Sequence, residues 1–490
     1  MSTSGLILAI DQGTTNTKAL IVSADGQILH KASVANHVAY PQPGWAEQDA
    51  DALFAGVAAV IADVAGQLDD VSRIAGIAIS NQRESVLVWD ATTGRPIGPC
   101  ITWQCRRSAP ACDRLRGAGH GPLIAERTGL ALDPLFPAAK IAWLLDHATG
   151  ARDRANRGEL RAGTVDAWLL WNLTGGKAHA TDHSNASRTQ LFNTGTLAWD
   201  ADLCAIFSVP AAIMPAVRPS DAEFGRTAAG ITALPAGIPI RAMIGDSHAA
   251  LYGHGIRRPG AVKATYGTGT SLMTLTDSRI SSGNGLSSTI AWSRGDTVSY
   301  ALEGNISVSG QAASFMAELL GIADAAALSA LAETVPDSNG VSFVPALMGL
   351  GAPYWRADAR GTVTGMSLGT KPAHLARAAL EAIAFQVADV IGAMDADIGA
   401  GLTELRADGG ASQNGMLMQF QADIIDRPVA AAAAPEVSAL GAAALAFAAM
   451  GEEMPAVPAA NRFAPSMQRT DREALRARWA AAVTQTLTTQ

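Results

Sequence analysis

The chain has 490 residues, 48% of them hydrophobic and 16% charged, with a formal net charge of -8. A single hydrophobic core stops growing at roughly 250–300 residues, so this length predicts two domains, and so apolar a composition excludes a disordered chain. The acidic balance, with no Lys/Arg run, argues against nucleic acid or an anionic membrane as partner and leaves small molecules.

In chain order, the opening MSTSGLILAIDQG has no basic n-region, and Asp11 interrupts its apolar stretch, so no export signal is expected and a cytoplasmic setting follows. Residues 6–10 read as a strand, residues 11–17 as a polar loop and residues 18–22 as the returning strand of a hairpin. Residues 51–68 carry a helical pattern and residues 74–80 a strand. The hairpin plan recurs at residues 262–265, the loop Tyr266-Gly267-Thr268-Gly269-Thr270 and residues 272–275, which suggests two domains of related design. Residues 342–345 as strand, 372–394 as helix and 405–408 as a strand ending in Gly409-Gly410 complete an alternation typical of layered α/β domains. Residues 414–425 place Met416, Leu417, Phe420 and Ile424 on one helical face. Residues 429–450, the most apolar region, are broken by Pro435 and Glu436, fall short of the ~20 apolar residues a membrane span needs, and read as a buried helix. The Gly- and Pro-containing GHGIRRPG places the domain boundary near residues 250–260, giving domains 1–252 and 253–490. Cys100, Cys105, Cys112 and Cys204 have no CxxC spacing and read as reduced, buried thiols.

Neither GxxxxGK[ST] nor a well-placed GxGxxG occurs, so phosphate must be held in another way. Glycines permit turns whose backbone N–H groups converge on anionic oxygens, and threonine hydroxyls add donors. Asp11-Gln12-Gly13-Thr14-Thr15 and Gly267-Thr268-Gly269-Thr270 have this makeup, with Asp408-Gly409-Gly410 as a third turn. One such turn is more often a plain hairpin; three together favour a nucleotide. Asp11 would hold Mg²⁺ through water, since that ion keeps waters and takes few carboxylates. In Asn81-Gln82-Arg83-Glu84, a guanidinium that donates and a carboxylate that accepts match a vicinal diol, although spacing alone favours a solvated loop with a weak ion pair. Trp103 would lay its ring on the C–H face of a polyol, a residue type more often found in the core. Asp246, ending an apolar strand in Ile244-Gly245-Asp246-Ser247-His248, is a candidate base for an attacking hydroxyl; as a lone Asp it is more often a helix N-cap. His248 and His254 lack a ligand set and read as structural.

Together DQGTT from Asp11, NQRE from Asn81, TWQCRR from Thr102, GTVDAWLLW from Gly163, TDHSNASRT from Thr181, YGTGT from Tyr266, GLGAPYW from Gly349 and DGGA from Asp408 resemble the FGGY carbohydrate kinases, and the glycerol kinases within that family, over nearly the whole chain. PAAKIAWLLDH from Pro137 and GMSLGTKPAHLARAALE from Gly365 are similar to the family's two signature regions. The resemblance implies two actin-like, ribonuclease-H-type α/β domains flanking a catalytic cleft, ATP and Mg²⁺, a small polyol or sugar acceptor, and a homodimer or homotetramer. By the same resemblance Thr14, Thr15, Asn16 and Lys18 contact the phosphates, and Thr268, Gly310, Ser314, Gly410, Ala411 and Asn414 the nucleotide. Arg83, Glu84 and Trp103 would hold the polyol, and Asp246 would be the base that activates a terminal hydroxyl.

Four positions depart from the glycerol kinases. Leu135 stands where they place Tyr, Ser247 where they place Gln, Ser271 where they place Phe and Ser314 where they place Gln near the nucleotide. The first removes a hydroxyl that would bind the polyol, and Ser247 and Ser271 should widen and wet the pocket away from Arg83 and Glu84, which favours a tetritol or pentitol; loss of the Tyr and Gln contacts weakens glycerol binding by about an order of magnitude or more. Pentulose kinases carry a different segment where residues 81–84 stand, so xylulose and ribulose rank lower. An actin-like nucleotide switch or sugar sensor would not need a base at Asp246, a repressor would need a helix-turn-helix for which no terminal domain is spare, and bare ATP hydrolysis would not need residues 81–84.

Overall fold

The computed structural model describes residues 5–399 and 401–488; the first four residues of the opening stretch lie outside them. Aliphatic runs on either side of the first Gly-Thr loop form β1 (Leu6–Gln12) and β2 (Asn16–Val22), antiparallel with Asp11 opposite Lys18. With β3 (Ile28–Ala35), β4 (Ile74–Asn81) and β5 (Pro239–Gly245) they make a sheet ordered β3-β2-β1-β4-β5, extended at the far edge by Gly225–Arg226. β4 runs parallel to both β1 and β5. Strands so placed are covered on both faces, which is why residues 6–10 are continuously apolar and buried instead of alternating.

The second sheet repeats this order. β6 (Ala261–Tyr266) and β7 (Thr270–Thr276) form the hairpin around the second Gly-Thr loop, β8 (Thr297–Ile306) follows, and β9 (Glu404–Asp408) and β10 (Val429–Ala432) add in parallel, giving β8-β7-β6-β9-β10 with one further strand at each edge. Two sheets of one topology, each with helices against it, are the actin-like plan.

The helices used below are α1 (Ala50–Ala65), α2 (Pro137–His147), α3 (Asp246–Gly253), α4 (Gly310–Leu319), α5 (Pro372–Ile398), α6 (Gly415–Ile425) and α7 (Val437–Ala449). Two sequence expectations need correction. Residues 429–450 are not one helix: residues 429–432 are β10, paired with β9, and the helix starts only after Pro435, whose missing N–H interrupts the run. Asp246 is not an N-cap, because Gly245 takes that position and Asp246 is the first helical residue.

α7 crosses back from the second half of the chain to pack on the first sheet, where Ala439, Ala443 and Phe447 join Ile7, Ala9, Leu20 and Ile244 in one core. It meets α3 at backbone distance: a Cβ at Gly441 would lie 1.8 Å from the Ala249 carbonyl oxygen, and one at Gly253 would lie 2.5 Å from that of Val437. These two small residues bring the halves of the molecule together. All four cysteines are free and buried. Among the described residues no helix is long and apolar enough to cross a membrane.

Candidate active site

Three neighbouring strands end side by side. In register, Gln12 on β1 and Gly245 on β5 both lie opposite Asn81 on β4, so the DQGTT, NQRE and GDS segments leave the sheet together at its carboxyl edge. Asp11 Oδ1 accepts a hydrogen bond from Ser80 Oγ at 2.8 Å. Burial raises the Asp11 carboxyl above its ordinary value, with Ser80 and Lys18 acting against that rise. Gln82 is buried and bonds Gln12 Oε1 at 3.1 Å and Gln48 Oε1 at 2.8 Å, which makes it and Asn81, paired with Asn185, part of the frame. Trp103 Nε1 donates to Thr14 Oγ1 at 2.9 Å, joining the expected polyol platform to the first Gly-Thr loop. Thr15 and Asn16 are exposed at that loop's tip, and Lys18 is half-buried.

The expectation of a solvated loop at residues 81–84 is overturned, because Arg83 is 7% and Glu84 5% exposed. Arg83 Nε lies 3.2 Å from Asp246 Oδ1, and its Nη1 lies 2.6 Å from Glu303 Oε1 on β8. Arg188 completes the set: its Nε donates to Glu84 Oε1 at 2.7 Å and its Nη2 lies 2.7 Å from Glu303 Oε2. Isolated buried charges are too costly to desolvate, but two arginines alternating with two carboxylates offset one another. Glu84 itself has φ 58°, a left-handed conformation unusual for a residue with a Cβ. The buried Lys140 of α2 holds it there, donating to the carbonyl oxygens of Glu84 at 3.1 Å and Leu135 at 2.6 Å.

Asp246 keeps 39% of its side chain exposed to the cleft and accepts from the Ser247 N–H at 2.6 Å. Burial pushes its carboxyl up to about 6, Arg83 pulls against that, and Asp11 and Glu84 add to it. A carboxylate so tuned can accept a proton near neutral pH. Ser247 and Ser271 do not stand free: their Oγ atoms are 2.7 Å apart, Lys263 Nζ donates to Ser247 Oγ at 2.6 Å, and Ser271 Oγ donates to Glu303 Oε1 at 3.1 Å.

On the facing domain, the loop between β6 and β7 is bound to the start of α4 by Gly310 N–H to Gly267 O at 3.0 Å and Gln311 N–H to Thr268 O at 3.2 Å. Gly310 is required there, since a Cβ would lie 2.5 Å from Gly267 O. Gly409, at φ 90°, brings the third turn against the same loop, where a Cβ would lie 2.5 Å from Tyr266 O. Thr268, Gly310, Gly410 and Ala411 are thus assembled from three chain segments. Ser314 is exposed one turn along α4. Asn414 is partly committed, its Oδ1 capping α6 at Leu417 N–H and its Nδ2 donating to Ser329 Oγ. His254 Nε2 lies 2.7 Å from Asp408 Oδ2, beside the third turn.

The model of the N-terminal domain of the FGGY family of carbohydrate kinases matches residues 6–253, and that of its C-terminal domain matches residues 262–450. The chain belongs to the FGGY family of carbohydrate kinases. It is 52% identical to an apulose kinase of Pectobacterium atrosepticum, over 90% of this chain and 88% of that one, and 46% identical to a glycerol kinase of Symbiobacterium thermophilum, over 98% of each. Its fold superposes on the crystal structure of Plasmodium falciparum glycerol kinase with ADP at a TM-score of 0.93 and 32% identity, covering 99% of both chains. This FGGY kinase is therefore an ATP-dependent phosphotransferase acting on a carbohydrate.

The sequence reading did not single out Lys140, Arg188, Lys263, Glu303 and Ser329, which the structure brings against its candidate residues. A signal was present for the charged ones: each interrupts an otherwise apolar or small-residue stretch, as in AAKIAW, NASRT, AVKAT and YALEG. A charge at such a position is buried and needs a partner.

Proposed function

We propose that this kinase transfers the γ-phosphoryl group of MgATP to a primary hydroxyl of a four- or five-carbon polyol or sugar larger than glycerol. The observation that carries the acceptor reading is the replacement of bulk by the Ser247–Ser271 pair beside Asp246, with Leu135 offering no side-chain hydroxyl. The 52% identity to an apulose kinase supports a sugar acceptor other than glycerol. Glycerol is the second reading, favoured by the 46% identical glycerol kinase and by the retained Arg83, Glu84 and Trp103.

In this reaction the acceptor oxygen attacks the γ-phosphorus, the bond to the β-phosphate bridging oxygen breaks, ADP leaves and the hydroxyl proton passes to Asp246. Arg83 and Glu84, immobilised by Arg188 and Glu303, orient the diol, and Trp103 forms its apolar wall while steadying Thr14. Thr14, Thr15, Asn16 and Lys18 on one side, and Thr268, Gly310, Ser314, Gly410, Ala411 and Asn414 on the other, grip the nucleotide. Among the described residues no group of three or more His, Cys, Asp and Glu side chains gathers to hold a metal ion, and a single carboxylate such as Asp11 fits Mg²⁺ held through water and phosphate oxygens. Mg²⁺ would neutralise phosphate charge there. We further propose a cytoplasmic homodimer or homotetramer with no nucleic-acid or membrane partner, consistent with the charge balance.

An ADP-release screen over glycerol, tetritols, pentitols, pentuloses including apulose, and hexoses tests the acceptor. A kcat/KM for glycerol well above all larger acceptors would sink the reading.

A further inference from the structure

Lys263, on β6, is completely buried, and its Nζ donates to Ser247 Oγ at 2.6 Å and to the Ser271 carbonyl oxygen at 3.3 Å. Ser247 Oγ lies 2.7 Å from Ser271 Oγ, which in turn donates to Glu303 Oε1 at 3.1 Å. An ammonium only donates and a carboxylate only accepts, while a hydroxyl has one proton to give. The Ser271 proton is committed to Glu303, so the bond between the two hydroxyls has Ser247 as its donor. Burial opposes the charge on Glu303, but Arg188 and Arg83 outweigh it and hold the carboxyl far below its usual range; burial pushes Lys263 down only to about 8. Both serine protons are therefore spent inside the wall, and what each oxygen has left is a lone pair.

This pair adjoins Asp246. Ser247 follows Asp246 in the chain and its N–H bonds the Asp246 carboxylate, while Ser271 is half-buried at the start of β7 next to the second Gly-Thr loop. We propose that Glu303, taking the Ser271 proton, and Lys263, closing the other end on Ser247, are positioning residues that polarise the two serines into an accepting wall, so that this subsite takes a hydroxyl-bearing carbon of the acceptor and rejects a group able only to accept, such as an ether or carboxylate oxygen. The proposal rests on the reading of the acceptor as a polyol or sugar that reaches beyond Arg83 and Glu84 to this wall. It adds a chemical rule to the size argument: the extra space selects a donor.

The test uses two matched pairs, glycerol with its 1-O-methyl ether and erythritol with its 4-O-methyl ether, with kcat/KM followed by ADP release for the full chain and for Ser271→Ala and Ser271→Thr. An ether that binds without turnover is compared through its inhibition constant against its hydroxyl partner. Within the better pair the hydroxyl is expected to win by about tenfold or more, as at sites built to bond a substrate hydroxyl. Ser271→Ala frees the Ser247 proton to donate outward, so the preference should fall severalfold; Ser271→Thr keeps the bond to Glu303 and should keep the preference. Equal use of ether and hydroxyl by the unmodified chain, or an unchanged preference in Ser271→Ala, overturns the proposal. The comparison between pairs judges acceptor size separately: glycerol beating erythritol with the within-pair preference intact would remove the larger-acceptor reading and leave the accepting wall standing.

Discussion

Glu303 Oε1, on β8 of the second sheet, stands 2.6 Å from Arg83 Nη1 on the loop after β4, and Glu303 Oε2 stands 2.7 Å from Arg188 Nη2. One buried carboxylate thus spans the two halves of the molecule and fixes the arginine that faces Asp246. Removing its charge leaves two buried guanidinium groups short of a partner. Glu303→Gln is expected to cost about 3–5 kcal/mol of stability, the range for breaking a buried ionic network from one side. The surviving folded enzyme should show a raised KM for the acceptor with little change in that for ATP. Urea denaturation and the two KM values check this, and a selective effect on ATP would remove Glu303 from the acceptor side.

Asp246 supplies a pH prediction with a definite sign. Its carboxyl is pushed up to about 6, chiefly by burial, and as a base it works only when ionised. Acceptor kcat/KM should be level above about pH 7 and fall tenfold per pH unit below about 6. Asp246→Asn should lower kcat by about 10²–10⁴-fold and abolish the acidic limb while leaving nucleotide binding intact. Full acceptor-dependent turnover by Asp246→Asn would mean that another group takes the proton.

What could be read from the sequence was local. The two hairpins around Asp11 and Thr268 announce themselves because strand, Gly-Thr turn and strand are adjacent in the chain, and the repeat of the motif gave away the repeat of the sheet. Burial of Arg83 and Glu84 was invisible because the residues that neutralise them, Arg188 and Glu303, come 104 and 219 positions after Glu84 in the numbering. Spacing cannot show a partner that lies far away in the chain. Residues 429–432 misled for the same reason: an alanine-rich run is helical by propensity, and only the free edge of β9 makes it a strand.

Trp103, proposed to wall the acceptor, donates from Nε1–H to Oγ1 of Thr14, proposed to hold the phosphates, at 2.9 Å. Trp103→Phe keeps an aromatic wall and deletes the donor. A bond of this kind contributes about 1 kcal/mol, so roughly a fivefold rise is expected in the KM for ATP as Thr14 loosens. The acceptor KM should move less, because the ring face remains. Initial-rate kinetics with each substrate varied separates the two, and an effect confined to the acceptor would show that the Thr14 bond does not steady the phosphate loop.

The contact of α3 with α7 gives a prediction about the frame rather than the chemistry. Gly441 has no room for even a methyl group, since a Cβ there would meet the Ala249 carbonyl oxygen at 1.8 Å, the Ala249 carbonyl carbon at 2.7 Å and Gly253 N at 2.8 Å. All three are backbone atoms, so no side-chain rotation relieves the clash and the two helices must separate. Gly441→Ala raises helix propensity by about 1 kcal/mol, yet overpacking costs about 1–3 kcal/mol and here should lie at the upper end, leaving a net loss. Because Asp246 and Ser247 begin α3, the separation should reach the cleft as well. The expected result is a lowered melting temperature together with a reduced kcat, in contrast to a surface Gly→Ala exchange. A Gly441→Ala enzyme as stable and as active as the unmodified chain would show that α3 and α7 do not pack this closely.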